Sequence, residues 1–192
     1  MIKAATLIGS AAAALALAAA PAAAQEAGDI QIKLLGTAVL PDGKITEVVN
    51  DRIGLPAGTQ TAADDNYVPT IAAEYFVSPN FSLETICCVT QHDVDGRGAL
   101  AGAGLVSNAN IIPATLTAKY HFGEAGGIRP YVGAGPTYFI FIDEKPGNTA
   151  RALGATEQRM NDHFGVALQA GVDIPVNDSG MSVSLDAKRY FL

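Results

Sequence analysis

Residues 111–122 read Ile-Ile-Pro-Ala-Thr-Leu-Thr-Ala-Lys-Tyr-His-Phe. Ile112, Ala114, Leu116, Ala118, Tyr120 and Phe122 are apolar, while Thr115, Thr117, Lys119 and His121 between them are polar. A period of two is the repeat of an extended strand with one apolar and one polar face. The same alternation recurs over residues 29–40, 67–77, 81–92, 129–142, 163–174 and 181–191, giving seven such runs in all. Their connections alternate in length: 41–66, 93–110 and 143–162 are long, and 78–80, 123–127 and 175–180 are short. Long and short connections therefore gather at opposite ends. Short periplasmic turns and longer outer loops are the asymmetry of an outer-membrane barrel. The pattern predicts an all-β, antiparallel, up-and-down transmembrane β-barrel.

The N-terminus agrees. Residues 1–24 carry one early cation, Lys3, then an Ala-rich apolar run ending in Pro-Ala-Ala-Ala ahead of Gln25. This is the form of a signal peptide with a small-residue cleavage site, and the barrel domain is expected over 25–192. Removing Lys3 from the 12 basic residues leaves 11 against 19 acidic ones, a formal charge of −8 for the remainder. With no basic cluster, nucleic acid is excluded as a partner. Cys87 and Cys88 are adjacent, which disfavours a bridge between them; on a strand they point to opposite faces.

The outward faces of the runs, such as Ile30, Ile32 and Leu34, Val166, Leu168 and Ala170, or Val183 and Leu185, lack charge throughout. Lipid accepts that surface. Aromatic residues on it fall near strand ends: Tyr75, Phe81, Tyr120 and Phe122 beside short turns, and Tyr67, Tyr138 and Phe164 beside long loops. Amphipathic rings settle at the boundary between headgroups and tails, so these are expected to form two membrane girdles. The inward set has two zones. Lys33, Glu74, Glu84, Lys119, Asp173, Asp186 and Lys188 lie low and are expected to form an ion-paired plug, since a barrel of about eight strands encloses room only for side chains or one small ligand. Val39, Val68, Phe139 and Phe141 lie toward the long loops and are expected to line an apolar vestibule.

Chemistry elsewhere is thin. His92 and His163 have Asp93 and Asp162 as neighbours but no Ser in a nucleophile motif, so no catalytic residues and no enzyme activity are expected. Asp93-Val94-Asp95-Gly96 fails as a calcium loop because the twelfth position is Gly104 where a Glu is needed; no metal site and no cofactor are expected. Gly133 and Gly135 sit inside a strand and read as room in a crowded lumen. Residues 96–104 are expected to be a flexible loop near the barrel mouth, and acidic residues such as Asp51, Asp64 and Asp65 to be solvated loop charges.

The stretch Pro113-Ala-Thr-Leu-Thr-Ala-Lys-Tyr-His-Phe-Gly123, a short turn, and Arg129-Pro-Tyr-Val-Gly-Ala-Gly135 resembles the outer membrane protein W (OmpW) family. Tyr75-Phe-Val-Ser-Pro-Asn80 and Phe164-Gly-Val-Ala-Leu-Gln-Ala-Gly-Val172 support it more weakly. The resemblance covers about residues 28–191; the long loops match in position only. It implies an eight-stranded barrel with a narrow channel for small hydrophobic molecules. Two departures stand out. The chain has no Trp, which the family commonly places in lumen and girdle. It also stops at Leu192, where family members continue into an outer loop and a final strand, so the last of eight strands is expected to be missing.

The reading is a channel in the bacterial outer membrane, reached by export through the periplasm, for passive passage of small hydrophobic solutes. Its expected partners are outer-membrane lipid and lipopolysaccharide, and the barrel assembly machinery during insertion. One alternative is a structural or receptor barrel with a plugged lumen whose long loops bind a partner. Another is a soluble periplasmic β-barrel with its apolar faces turned inward.

Overall fold

The structure, a computed structural model, describes residues 10–18, 26–43, 45, 57–152, 154–157, 159–176 and 181–192. Residues 1–9 and 19–24 of the expected leader, Gln25, Asp51, and residues 177–180 of the last short turn lie outside the described residues. The strands are β1 (Ser10–Ala18), β2 (Ile30–Pro41), β3 (Thr59–Ala63), β4 (Asn66–Ser78), β5 (Phe81–Cys87), β6 (Thr90–Gly98), β7 (Gly104–His121), β8 (Arg129–Ile142), β9 (Lys145–Pro146), β10 (His163–Pro175) and β11 (Ser182–Phe191). A short helix, α1 (Asn148–Ala152), lies between β9 and β10.

Every pairing is antiparallel, and the order β7-β5-β4-β2-β1-β11-β10-β8 returns to β7, closing a ring of eight strands. Strands β2 and β11 are separated by one strand width. Ser10–Ala18 lies there, with eight register pairs to β11 and eight to β2. The position expected to be vacant is thus taken, in the continuous chain, by part of the expected leader. The physical reason is that a barrel edge in lipid leaves N–H and C=O groups unpaired at several kcal/mol each, and an apolar segment without Gly or Pro can pair with both edges.

Two sequence expectations need correction. The run 81–92 is one wall strand broken at Cys88 and Val89, and it continues to Gly98; the run 111–122 already begins at Gly104. The segment 93–110 is therefore largely a β6–β7 hairpin and not a free loop, and residues 99–103 form its tip. Its turn uses the positive φ of Gly98 (63°) and Gly102 (82°), a region glycine enters without strain. Strand β3 adds to its outer edge, pairing with β6 from Thr59↔Gly98 to Ala63↔Val94. The alternation fades here because strands that rise past the lipid no longer need an apolar face.

The wall itself follows the period of two. Leu116, Val132, Leu168 and Leu185 are 47–49% exposed on the outside, while Lys119, Tyr131, Gln169 and Lys188 are buried inside. All seven expected girdle residues are exposed on the outer face, from Phe81 at 39% to Tyr67 at 76%. Phe81 pairs in register with Tyr120 near the short turns, and Phe164 with Tyr138 near the long loops. Phe191, opposite Val166, is exposed at the upper level as well. Cys87 is exposed and Cys88 buried, on opposite faces.

Candidate functional site

The lumen below the middle of the barrel is a single ionic cluster. Glu74 on β4 is fully buried; its carboxylate lies 2.5 Å from Lys33 Nζ, 2.9 Å from Lys119 Nζ and 2.9 Å from His121 Nε2. Ser82 donates to the same carboxylate and lies 2.9 Å from His121 Nε2. Glu84 on β5 takes Lys119 at 3.0 Å, Lys188 at 3.2 Å and Lys33 at 3.4 Å. Asp173 on β10 lies 3.8 Å from Lys33 and accepts from Ser184. Asp186 joins through Gln169 Nε2 at 2.7 Å and the Tyr131 hydroxyl at 2.8 Å. All seven residues expected to form the plug are therefore brought together, each from a different strand or a different level of one.

Period two is what makes this possible. Register places Gln31 opposite Glu74, Glu74 opposite Glu84, Glu84 opposite Thr117 and Lys119 opposite Ser82. Two acids side by side are tolerable because lysines reach across the lumen to both. Space for this comes from glycine. A Cβ on Gly133 would stand 2.9 Å from the Lys119 stem, and one on Gly171 would stand 2.4 Å from the Tyr131 hydroxyl. The Tyr131 ring in turn sits 3.9 Å beneath the Lys119 ammonium.

Above the cluster the lumen opens into a vestibule of about 740 Å³, part of it continuous with solvent. Lys33, Glu84 and Lys188 form its floor, and Leu35, Val39, Ile86, Ile111, Phe139 and Tyr190 its apolar wall. A second hollow of about 380 Å³, likewise continuous in part with solvent, lies against Phe141, Val94, Met160 and Leu192. Both hollows are lined by Pro41, His92, Ile111 and Phe139, which form the neck between them. His92 is held by the Asp64 carbonyl, 2.6 Å from Nδ1, and the Thr90 hydroxyl, 3.1 Å from Nε2. In the outer loop Glu144 accepts from Met160 N at 2.6 Å, and burial raises its carboxyl above the usual range.

Of the four residues expected in the vestibule, Val39 and Phe139 line the larger hollow and Phe141 the smaller. Val68 lies opposite Thr37, half-buried, and stands apart from both. Tyr131 and Tyr190 were not singled out by sequence reasoning. Parity would have found them, since Tyr131 is eight residues from Phe139 and Tyr190 two from Lys188, which places each on the lumen face.

The wall has one discontinuity beside the vestibule. The β4–β5 ladder ends at Ile71↔Cys87, and Asn66 Nδ2 next donates to the Gln91 carbonyl at 2.6 Å. Between these points no ladder pair joins β4 to β6 among the described residues, and Pro69 has no N–H to offer. Thr70, Cys88 and Thr90 line the vestibule on either side of the break.

The sequence profile of the OmpW family matches residues 26–192. The chain is 30% identical to outer membrane protein W of Vibrio cholerae over 167 residues, covering 85% of this chain and 74% of that one. It is 33% identical to an uncharacterised outer-membrane protein, y4mB, of Sinorhizobium fredii, spanning 84% of this chain but only 65% of the relative's length. It is 29% identical to the dibenzothiophene metabolism operon protein DoxH of a Pseudomonas species, covering 72% and 62%. The crystal structure of the outer membrane protein OprG from Pseudomonas aeruginosa shares the fold, with a TM-score of 0.59 at 18% identity over 100% of this chain and 96% of that one. A closed antiparallel ring with a lipid-compatible exterior, a filled lower lumen and these relatives has one consistent reading: the chain is an outer-membrane β-barrel and belongs to the OmpW family.

Proposed function

We propose that the barrel is a narrow channel for passive passage of small hydrophobic molecules across the outer membrane. The observation that carries this is an apolar vestibule, reached from the outer loops through the His92 neck, standing on a floor closed by paired charges. A solute gains free energy by leaving water for the vestibule wall, at roughly 25 cal/mol per Å² of apolar surface buried. The relative named for dibenzothiophene metabolism fits an apolar cargo. Because the floor is closed, the solute leaves sideways, through the break between β4 and β6, into the bilayer. The same reading makes residues 1–24 the export leader, whose removal vacates the place of Ser10–Ala18 between β2 and β11. It gives the barrel lipid and lipopolysaccharide as surroundings, the assembly machinery as an insertion partner, and no catalytic role.

The test is uptake of an apolar solute by cells whose lipopolysaccharide layer otherwise excludes it. Phe139→Asp with Phe141→Asp is expected to abolish protein-dependent uptake; unchanged uptake would sink the proposal. The sideways route has its own test. Thr70→Cys faces native Cys88 across the break, and oxidation to a disulfide is expected to stop uptake until a reductant restores it. Uptake that continues through the crosslinked wall would direct the solute through the floor instead.

A second reading, a receptor barrel, is favoured by the β6–β7 hairpin that carries exposed residues such as Arg97 and Ala99 beyond the barrel. Deleting residues 99–103 would abolish partner binding under that reading and leave solute uptake intact under the first.

A further inference from the structure

The vestibule is not uniformly apolar. Thr37 on β2 and Thr70 on β4 are diagonal neighbours on the inner face, with Leu35 opposite Thr70 and Thr37 opposite Val68. Both line the vestibule, and they are only 8% and 4% exposed. The Thr37 hydroxyl has no hydrogen-bond partner among the described residues, and the Thr70 hydroxyl none beyond the neighbouring Cys88 thiol. Other buried lumen threonines are paired. Thr115 and Thr137 share a hydrogen bond of 2.7 Å, and Thr117 donates to Gln169 Oε1 at 2.9 Å. A buried hydroxyl left without a partner is destabilising, and valine would fill the same volume with at least equal strand preference. An unpartnered hydroxyl and one held only by a weak thiol, side by side on residues of the cavity wall, are therefore available, by a turn of χ1, to a polar atom on whatever occupies the cavity.

The floor indicates that this atom is neutral. Lys33 and Lys188, the cations nearest the vestibule, are already within 3.4 Å and 3.2 Å of Glu84. A carboxylate entering the cavity would have to break a closed ion-paired set, and a buried charge without a partner is strongly disfavoured. A hydroxyl or carbonyl oxygen needs only the two threonines. We propose that the vestibule is selective for neutral, singly oxygenated hydrophobic molecules, alcohols, phenols or ketones, whose oxygen is held by Thr37 and Thr70 while the apolar body packs against Leu35, Phe139 and Tyr190. This rests on the channel reading and specifies its cargo.

The test compares naphthalene with 1-naphthol, which share a body and differ by one oxygen. Cells expressing the chain take up each solute with Thr37→Val/Thr70→Val, with Thr37→Ser/Thr70→Ser, or with neither change. Loss of a neutral hydrogen bond corresponds to about a three- to ten-fold fall in 1-naphthol uptake. That fall is expected in the valine variant, with uptake retained in the serine variant and naphthalene uptake not reduced in either. If both solutes fall together, or 1-naphthol is unaffected, the selectivity proposal is overturned. If neither solute enters faster than in cells lacking the protein, the channel reading itself fails. Calorimetric titration of the barrel in nanodiscs against empty nanodiscs then decides the site. Preferential 1-naphthol binding that the valine pair removes upholds it, and equal or absent binding overturns it.

Discussion

The lower and upper halves of one lumen solve opposite problems with the same eight strands. Below, Lys33, Glu74, Glu84, Lys119 and His121 are 0–4% exposed and pair with one another, although His121 Nδ1 comes no nearer to Asp173 than 3.6 Å; above, Leu35, Val39, Phe139 and Tyr190 surround open space. The first half behaves as a core made of charges, in which each group is stable only because the others are present. The second is an interior left incompletely filled. Stability is therefore concentrated in the floor, and binding in the vestibule.

The largest expected effect follows from removing one member of the floor. Glu74→Ala deprives Lys33 and Lys119 of their closest carboxylate and leaves Ser82 Oγ and His121 Nε2 with only each other in its place. Breaking a buried pair in this way costs about 3–5 kcal/mol, to be read from urea unfolding of the refolded barrel by its heat-modifiable gel mobility. Phe139→Ala is the matched change above. It packs edge-on against Tyr190 on one side and borders the vestibule on the other, so its loss should fall below the about 3–5 kcal/mol of a fully packed aromatic core. Equal losses at the two sites would erase the distinction between floor and vestibule.

The lipid face sets the next scale. Leu168, 48% exposed near the middle of β10, lies back to back with the floor residue Gln169. Leu168→Arg is expected to cost about 2–4 kcal/mol, the price of a cation near the bilayer midplane, in the same unfolding assay performed in lipid. A negligible cost would mean that this face is not turned to hydrocarbon. Tyr131→Phe probes the boundary between the two halves. It removes the hydroxyl that donates to Asp186 while keeping the ring beneath Lys119, and should cost about 1.5–3 kcal/mol, the range for a hydrogen bond to a charged group. A ring that mattered only by shape would leave stability unchanged.

How much of this was legible in the sequence depended on whether lipid was present on the far side of the strand. Where it was, as for 129–142, the alternation marked the strand to the residue, and parity sorted Lys33, Glu74, Glu84, Lys119 and Lys188 inward as a group. Above the membrane, Gln91, Asp93, Asp95 and Arg97 share the outer face of β6, no apolar stripe is required, and a long hairpin looked like a loop. The placement of Ser10–Ala18 was unreadable for a different reason. Its alanines and leucines carry no alternation of polarity, so only the register of β2 and β11 shows where it pairs. The vestibule hydroxyls were hidden too, because a period-two pattern gives the face of Thr37 and Thr70 but not whether a neighbour reaches them.

The smallest expected effect tests the wall where the two halves differ most. The β4–β5 ladder holds the wall beside the floor, but beside the vestibule Asn66 Nδ2 on the Gln91 carbonyl spans the break, with only the weak Thr70–Cys88 contact beside it. Asn66→Ala removes two exposed hydrogen bonds, Nδ2 to the Gln91 carbonyl and Tyr67 N to Oδ1, of which only the first spans the break, so unfolding should shift by only about 0.5–1.5 kcal/mol. Uptake is expected to respond in the opposite sense to stability. With the tie gone, β4 is free to part from β6 over the stretch around Pro69, and entry of an apolar solute should become faster. The Thr70→Cys crosslink to Cys88 should cancel that gain. If Asn66→Ala lowers uptake in proportion to its loss of stability, the break is an irregularity of the wall and not a route through it, and the vestibule must empty by way of the charges beneath it.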